Sequence, residues 1–532
     1  MSRLIVLSNR VKMPDGNPMA GGLAVALHEI LTQNSSIWMG WNGAIVDTDS
    51  DGDSNEFSHH KVNDKDQSSL ASHHRCHTSQ KITYITTSLT TKQHQHYYCG
   101  FANNVLWPLL HEQTDLIAQA FDDYAGYQAV NLLFAKQLQK TAQPDDVIWV
   151  HDYHFMSVAY HCRRLGMRNR IGFFLHIPFV PLRFWQSLDK SDALIKHLAH
   201  YDVLGTQTQQ DKANCLTVLQ YYLKDLVADT TAIKQTIIKA NDSDSVSLTL
   251  NLNLYANHCL TINAYPIGVN VAKIQQHIAH LSSQAAEHSH NQNTTKLSAQ
   301  QIIAVDRIDY SKGLIPRFLA YRDFLQHYPK YQNQLKLLQI ACPSRLDLKV
   351  YQRLYNEVKQ TVAKVNQQFL NCTCSAIIVQ AGNDKICHCE NKNFRDNGVK
   401  PAELVTHWQA IRYSESVIGH DTLMKLFWQS DIGWVNSLKD GMNLVAKEYI
   451  AAQNPANPGV LLLSRYAGAA EQMQAALIID PHQPSSVIQS LNTALTMPLA
   501  ERQERHQTLL LGLQQDNLQV WQQSFLEELY SK

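Results

Sequence analysis

IIAVDRIDYSKGL, residues 302–314, runs from an uninterrupted apolar stretch through a charged turn into the start of a helix. An apolar run without polar alternation is what a strand buried on both faces requires, and such strands belong to parallel sheets covered by helices. Working outward, the second half repeats the unit at Lys336–Ala341, Ile432–Val435 and Val460–Leu463. The first half carries it at Leu4–Leu7, Val147–Val150, Ile171–Leu175 and Asp202–Leu204. Between them, Tyr127–Lys140 places Val130, Leu133, Phe134 and Leu138 at helical spacing, as a covering helix does. The pattern restarts at Ile302, so the chain reads as an α/β protein of two doubly wound halves joined near residues 265–275.

Composition narrows the function. The 532 residues hold 46 Lys+Arg and 46 Asp+Glu, for zero formal charge. That balance argues against nucleic acid or an anionic membrane as the partner, and leaves any anion to a few local cations. At about 100–200 residues per domain the length suits two to four domains. The start, MSRLIVLSNR, has too short an apolar run for a secretory signal, and no stretch approaches about 18 apolar residues. Ten cysteines are too sparse for a disulfide scaffold. A cytoplasmic protein with reduced thiols is expected. Three stretches break the rhythm: 44–80 and 282–300 read as solvated insertions, and 371–406 is polar but carries Cys372, Cys374, Cys387 and Cys389.

The chemistry-bearing motifs sit where the apolar runs end, the edge at which open α/β sheets bind ligands. Gly21-Gly22 opens a helical pattern after the first strand, either presenting N–H groups to a phosphate or making an ordinary turn. His151-Asp152-Tyr153-His154 follows Val147–Val150, and His176 ends the run Phe173–Leu175. A lone histidine there is commonly a satisfied core residue; two polar groups at one edge point to a ligand. Arg307 and Lys312 share one loop, as a diphosphate wants, or else form a solvated surface turn. In KDGMNLVAKE, residues 439–448, Asn443 can cap a helix and free the N–H groups of Leu444 and Val445 for an anion. Glu448 lies one turn after Leu444, where a carboxylate can accept both hydroxyls of a ribose.

These residues carry a resemblance. SNR at 8–10, AGGLAV at 20–25, NNVLWP at 103–108, IWVHDYH at 148–154, IGFFLHIPF at 171–179, YPIGV at 265–269, RIDYSKGL at 307–314, DGMNLVAKEY at 440–449 and NPGVLLLS at 457–464 follow the order of one family. The chain resembles the trehalose-6-phosphate synthases, retaining glycosyltransferases with two Rossmann-like domains facing a cleft (the GT-B architecture). The resemblance implies an acceptor domain over 1–268, a donor domain over 269–515, and a helix over 516–532 crossing back onto the first. It implies transfer of glucose from a nucleoside-diphosphate glucose, UDP-glucose above all, to glucose 6-phosphate, giving α,α-trehalose 6-phosphate.

Carried over residue by residue, the donor site would comprise Gly21, Gly22, Arg307, Lys312, Ile418, Asp440, Asn443, Leu444, Val445 and Glu448. Arg307 and Lys312 would meet the diphosphate, Glu448 the ribose, and Asp440 with His176 the donor glucose. The acceptor site would comprise Arg10, Tyr98 and Arg345 at the 6-phosphate, Asp152 at a sugar hydroxyl, and Trp107 and Ile177 as pocket walls. The resemblance implies no catalytic metal, no carboxylate nucleophile, and a homo-oligomer. Lys439 replaces the family's usual Arg before DGMN, keeping charge without the planar fork. A sister transferase using another phosphorylated acceptor, such as glycerol 3-phosphate, and a catalytically silent sugar-phosphate sensor are the competing readings. The four cysteines of the third polar stretch, spaced C-x-C and C-x-C, suggest a structural zinc, although zinc knuckles usually space them C-x₂-C.

Overall fold

A computed structural model of the chain describes residues 3–11, 22–32, 35–47, 74–79, 81–225, 233–240, 243–252, 258–288, 300–369, 378–381, 384–387 and 408–531. Each of the eight apolar runs becomes a strand, to within three residues at either end. Val147–His151, Ile171–Phe174, Val203–Thr206, Ile432–Val435 and Val460–Ser464 are buried at every position, because helices cover both faces of their sheets.

In the second half six parallel strands lie in the order Ile411–Ser414, Leu335–Cys342, Gln300–Arg307, Ile432–Val435, Val460–Ser464, Leu477–Ile479. By position along the chain this is 3-2-1-4-5-6, the dinucleotide-fold order. The first half repeats it: Ile82–Thr90, Ser36–Val46, Leu4–Arg10, Val147–His151, Ile171–Phe174 and Val203–Thr206 run parallel in the order 3-2-1-4-5-6, followed by His258–Ala264. Where order reverses, neighbouring strands send their loops apart and leave a crevice. One crevice lies between Leu4–Arg10 and Val147–His151, the other between Gln300–Arg307 and Ile432–Val435.

The polar stretches, expected as solvated insertions, carry regular elements where they are described. Within 44–80, His74–Ser79 forms an edge strand antiparallel to Ile82–Thr90. An edge strand needs no continuous apolar run, so its sequence hides it. Helix Val271–His288 extends into 282–300, and Gln300 pairs with Leu335. Within 371–406, Ile378–Ala381 and Asp384–Cys387 form a hairpin; Cys372, Cys374, Cys389 and the side chain of Cys387 lie outside the described residues. A further hairpin, Ile233–Ala240 with Ser243–Leu252, extends the first sheet without having been anticipated.

The last helix, Leu518–Tyr530, returns to the first half. Its Trp521 and Phe525 rings lie 5.2 and 4.7 Å from Trp149, and a Cβ on Gly172 or Gly205 would fall within 2.9 Å of Phe525. Gln522 donates to the Ala26 carbonyl at 2.8 Å and Arg170 to the Leu529 carbonyl at 2.9 Å. Burying each aromatic ring contributes about 1.5–3 kcal/mol, so the helix ties the halves together behind the cleft. Among the described residues, no helix is long and apolar enough to cross a membrane.

Candidate active site

At the first crevice, strand Leu4–Arg10 delivers Asn9 and Arg10. The Arg10 guanidinium carbon lies 4.7 Å from the centre of the Trp41 ring, and among the described residues no carboxylate pairs with it. Beside it, His94–Leu106 is a wide helix bonded to the fifth residue back, with the Trp107 N–H reaching the Ala102 carbonyl. This extra width shifts successive side chains relative to an α-helix and recurs at functional sites. Tyr97 turns inward, donating to Asn9 at 2.8 Å, while Tyr98 stacks on His154 at 6.1 Å and lies 5.3 Å from Trp41. Trp107 follows as the helix tightens.

Asp152 stands just past strand Val147–His151 with φ at 74°, left-handed backbone that aims its carboxyl back into the crevice. Its N–H donates to the Phe174 carbonyl at 2.8 Å, and its Oδ1 accepts from the His176 N–H at 3.3 Å. Burial pushes the carboxyl up to about 6, against the backbone N–H groups of Tyr153 and His176 and the charges of Arg345 and Arg307. Burial likewise pushes His176 down to about 3, so its ring is neutral at pH 7. His176 Nε2 lies 3.0 Å from His151 Nδ1, and one of the two carries the proton between them. A neutral imidazole at this edge can exchange hydrogen bonds with a sugar hydroxyl without introducing charge.

In the second half, Arg307 ends the strand Gln300–Arg307 and Lys312 closes the turn after it. Asp309, buried between them, accepts from Arg345 at 2.8 Å and from the Tyr351 hydroxyl at 3.0 Å. Burial opposes its ionisation, but Arg345 and Arg307 hold the carboxyl well below the usual carboxylate range. The same contacts aim Arg345 at the cleft. Its guanidinium carbon sits 3.8 Å from the centre of the Trp107 ring, and its Nη2 reaches the Tyr153 hydroxyl at 3.3 Å. Arg307 lies 5.9 Å from the same indole. Trp107 therefore carries two cations of the opposite half, Arg345 and Arg307, over its ring system.

Lys312 Nζ lies 2.5 Å from Asp440 Oδ2. Asp440 also accepts from Ser437 and from Asn443, each at 3.0 Å; burial opposes its ionisation, but Lys312 above all, with Asn443, holds its carboxyl below normal. Asn443 has φ at 74° and caps helix Leu444–Ala451 by accepting the Ala446 N–H at 3.2 Å. Leu444 and Val445 precede the first intrahelical donor, so their N–H groups face outward from the helix start. Glu448, one turn on, is pushed up to about 7 by burial. The ring of His420 stands 4.0 Å from it.

The halves meet at Gly441. A Cβ there would lie 2.1 Å from the His176 carbonyl oxygen and 2.9 Å from the Ile177 Cα. Lys439 pairs with Glu112 at 2.8 Å, and the Gln209 N–H donates to Glu471 at 2.9 Å, both across the cleft. These contacts bring together Trp107, Asp152, His176, Ile177, Arg307, Lys312, Arg345, Asp440 and Asn443, with Arg10 and Tyr98 joined through Trp41 and His154. Ile418, like Leu444 and Val445, packs against the apolar cluster that holds Met442 and Ala446. Gly22 starts its helix, and Gly21 lies outside the described residues. The sequence assigns no role to Asp309 or Glu112 and shows His151 and Tyr153 only as part of a motif, because their roles depend on partners far along the chain; only the position of Asp309 between two cations signals it.

The glycosyltransferase family 20 model matches residues 8–381 and 404–531. A trehalose-6-phosphate synthase of Sodalis glossinidius (strain morsitans) is 34% identical over 538 residues, spanning 99% of this chain and 96% of that protein. The crystal structure of a UDP-forming α,α-trehalose-phosphate synthase from Burkholderia xenovorans in complex with glucose-6-phosphate matches with a TM-score of 0.77 at 33% identity, covering 100% of both chains. The E. coli structure bound with UDP-2-fluoro glucose matches at 0.77 and 32% identity, covering 100% of this chain and 99% of that one.

Proposed function

The chain belongs to glycosyltransferase family 20, and on that premise we propose that it transfers glucose from UDP-glucose to glucose 6-phosphate, retaining the anomeric configuration and forming α,α-trehalose 6-phosphate. The observation that carries the reading is Trp107 of the first half holding Arg345 and Arg307 of the second against its ring, with Lys312 and Asp440 beside them. Two separated phosphate groups, one on each substrate, give those cations a purpose.

Arg307 and Lys312 neutralise the departing diphosphate, where charge grows as the glycosidic bond lengthens toward an oxocarbenium-like state. The N–H groups of Leu444 and Val445 add donors at the same phosphates. Glu448 takes the ribose hydroxyls, and Asp440 with neutral His176 fixes the donor glucose. Arg10, Tyr98 and Arg345 bind the acceptor phosphate, and Asp152 orients a hydroxyl next to the reacting one. The leaving phosphate oxygen receives the acceptor's proton on the face from which the hydroxyl attacks. Asp440 is engaged by Lys312, Ser437 and Asn443, which suits a positioning carboxylate better than a nucleophile. Closure of the two halves excludes water and suppresses donor hydrolysis.

Incubating the protein with UDP-, ADP- and GDP-glucose against glucose 6-phosphate and glycerol 3-phosphate tests the whole reading. Trehalose 6-phosphate from UDP-glucose is the expected product. Transfer to glycerol 3-phosphate alone would replace the acceptor assignment, and no transfer with any pair would leave a sugar-phosphate sensor. Glu448→Gln should raise the donor KM about tenfold or more while kcat changes less, the cost of one charge-assisted hydrogen bond pair. It should also alter the pH dependence of the ligand-free protein. A carboxyl raised to about 7 in the fold binds more protons than the unfolded chain above pH about 4.5. Its contribution therefore erodes stability as pH rises from about 4.5 to 7, and the amide removes that slope; thermal denaturation at pH 5 and 7 measures it.

The working division is an acceptor domain over 1–268, a donor domain over 269–515 and a returning helix over 516–532, in a cytoplasmic homo-oligomer that needs no metal for catalysis. Cys372, Cys374, Cys387 and Cys389 are assigned to one structural zinc. Elemental analysis of untagged protein should find about one zinc per chain, and stable zinc-free protein would remove the assignment.

A further inference from the structure

We propose a second divalent-metal site, distinct from the four cysteines, formed by His94, Cys99 and Asp347 where the two halves approach each other beside the acceptor pocket. One ligand atom from each of these side chains lies within 4.8 Å of the others. Cys99 Sγ stands 3.7 Å from His94 Nδ1 and 3.9 Å from its Nε2. With Zn–S near 2.3 Å and Zn–N near 2.0–2.1 Å, a tetrahedral ion places its sulfur and nitrogen about 3.6 Å apart. The 3.7 Å approach to Nδ1 matches that spacing, and a turn of the imidazole that carries the other nitrogen away points the Nδ1 lone pair at the ion. Asp347 is exposed, with one carboxylate oxygen already within 4.8 Å of the other two ligand atoms.

The two first-half ligands come from one helix. His94 starts the wide helix His94–Leu106, with its ring 5.3 Å from Tyr98 and 5.4 Å from Trp41. Cys99 comes from the same helix, and both side chains are half-buried. Asp347 belongs to the other half, two residues after Arg345 and just before the helix Lys349–Gln368. The ligand set of one thiolate, one imidazole and one carboxylate selects a zinc-class ion over magnesium or calcium, which favour oxygen. Three protein ligands leave the fourth position to water. Binding releases the Cys99 thiol proton to solvent and ties the Tyr98 helix to the Arg345 loop, so the ion holds the acceptor side of the cleft in one arrangement.

The test uses the full chain, stripped of metal and titrated with Co²⁺, whose visible ligand-field and sulfur-to-metal charge-transfer bands report thiolate coordination. Difference spectra against Cys99→Ser and Asp347→Asn isolate this site from the four cysteines. Cys99→Ser is expected to lose one equivalent of charge-transfer absorbance, and Asp347→Asn to weaken Zn²⁺ binding at the same site tenfold or more by chelator competition. Asp347 is exposed, so its variant folds even should Cys99→Ser fail to. Parent-like spectra and Zn²⁺ affinity in both variants, or in Asp347→Asn where it alone folds, would overturn the proposal and leave a thiol–imidazole contact. These readouts hold whether or not the chain transfers glucose.

Discussion

Lys312→Ala is expected to lower kcat by about 10²–10³-fold, the range seen when one group aimed at a developing negative charge is removed. Two losses coincide. The departing diphosphate loses a cation, and Asp440 loses its 2.5 Å partner. Asp440 keeps hydrogen bonds from Ser437 and Asn443, so its carboxyl remains satisfied, but without Lys312 burial raises its proton affinity. A carboxyl that protonates more readily is a poorer acceptor for the hydroxyls of the donor sugar. The defect should therefore deepen as pH falls, because the protonated fraction of Asp440 grows. Lys312→Met, which keeps most of the chain length and removes the charge, should behave like the alanine variant. Both should fold, since Lys312 sits at the cleft wall rather than in the core. Single-turnover rates with saturating donor separate chemistry from binding, and near-parent rates in either variant would take Lys312 out of the donor site.

The elements that could be read in the sequence are those whose physics is local. Val147–His151 and Val460–Ser464 are buried on both faces, so their apolar runs announce them. Asn443 reads as a helix cap because a short polar side chain before LVA has that local use, and its side chain does cap the helix. What the sequence hides is pairing at a distance. Arg317 is fully buried in the helix Leu314–His327, where it pairs with Asp306 and donates to Gln339, 22 residues on, at 2.8 Å. Nothing around an arginine in IPRFLA signals a buried charge. The edge strand His74–Ser79 is hidden for the opposite reason: a strand paired on one side needs little apolar character. Asp309 could be placed between two cations from its neighbours, yet its partner Arg345 lies 36 residues later. The candidate site divides in the same way. Its loops follow from strand order, and the contacts across the cleft follow from how two sheets face each other.

Gly441→Ala isolates one of those contacts. Gly441 does not occupy left-handed backbone, so alanine meets no torsional obstacle there. Its Cβ would instead lie 2.1 Å from the His176 carbonyl oxygen and 2.9 Å from the Ile177 Cα, both backbone atoms of the opposite half. Neither can swing away as a flexible side chain would. Relief requires the loop carrying Asp440 and the segment carrying His176 to separate by about 1 Å, and displacement on that scale costs reacting groups on the order of 10² in rate. The expected result is a kcat reduced about 100-fold, with the donor KM changed less, because Leu444, Val445 and Glu448 stay on their own helix. Thermal stability should fall modestly, since the returning helix Leu518–Tyr530 still holds Trp521 and Phe525 against Trp149. Donor hydrolysis without acceptor should rise relative to transfer, because a cleft held open admits water beside the anomeric carbon. Parent-like turnover with an unchanged hydrolysis ratio would mean that the two halves do not work at this separation, and that the contact at Gly441 belongs to another state of the cleft.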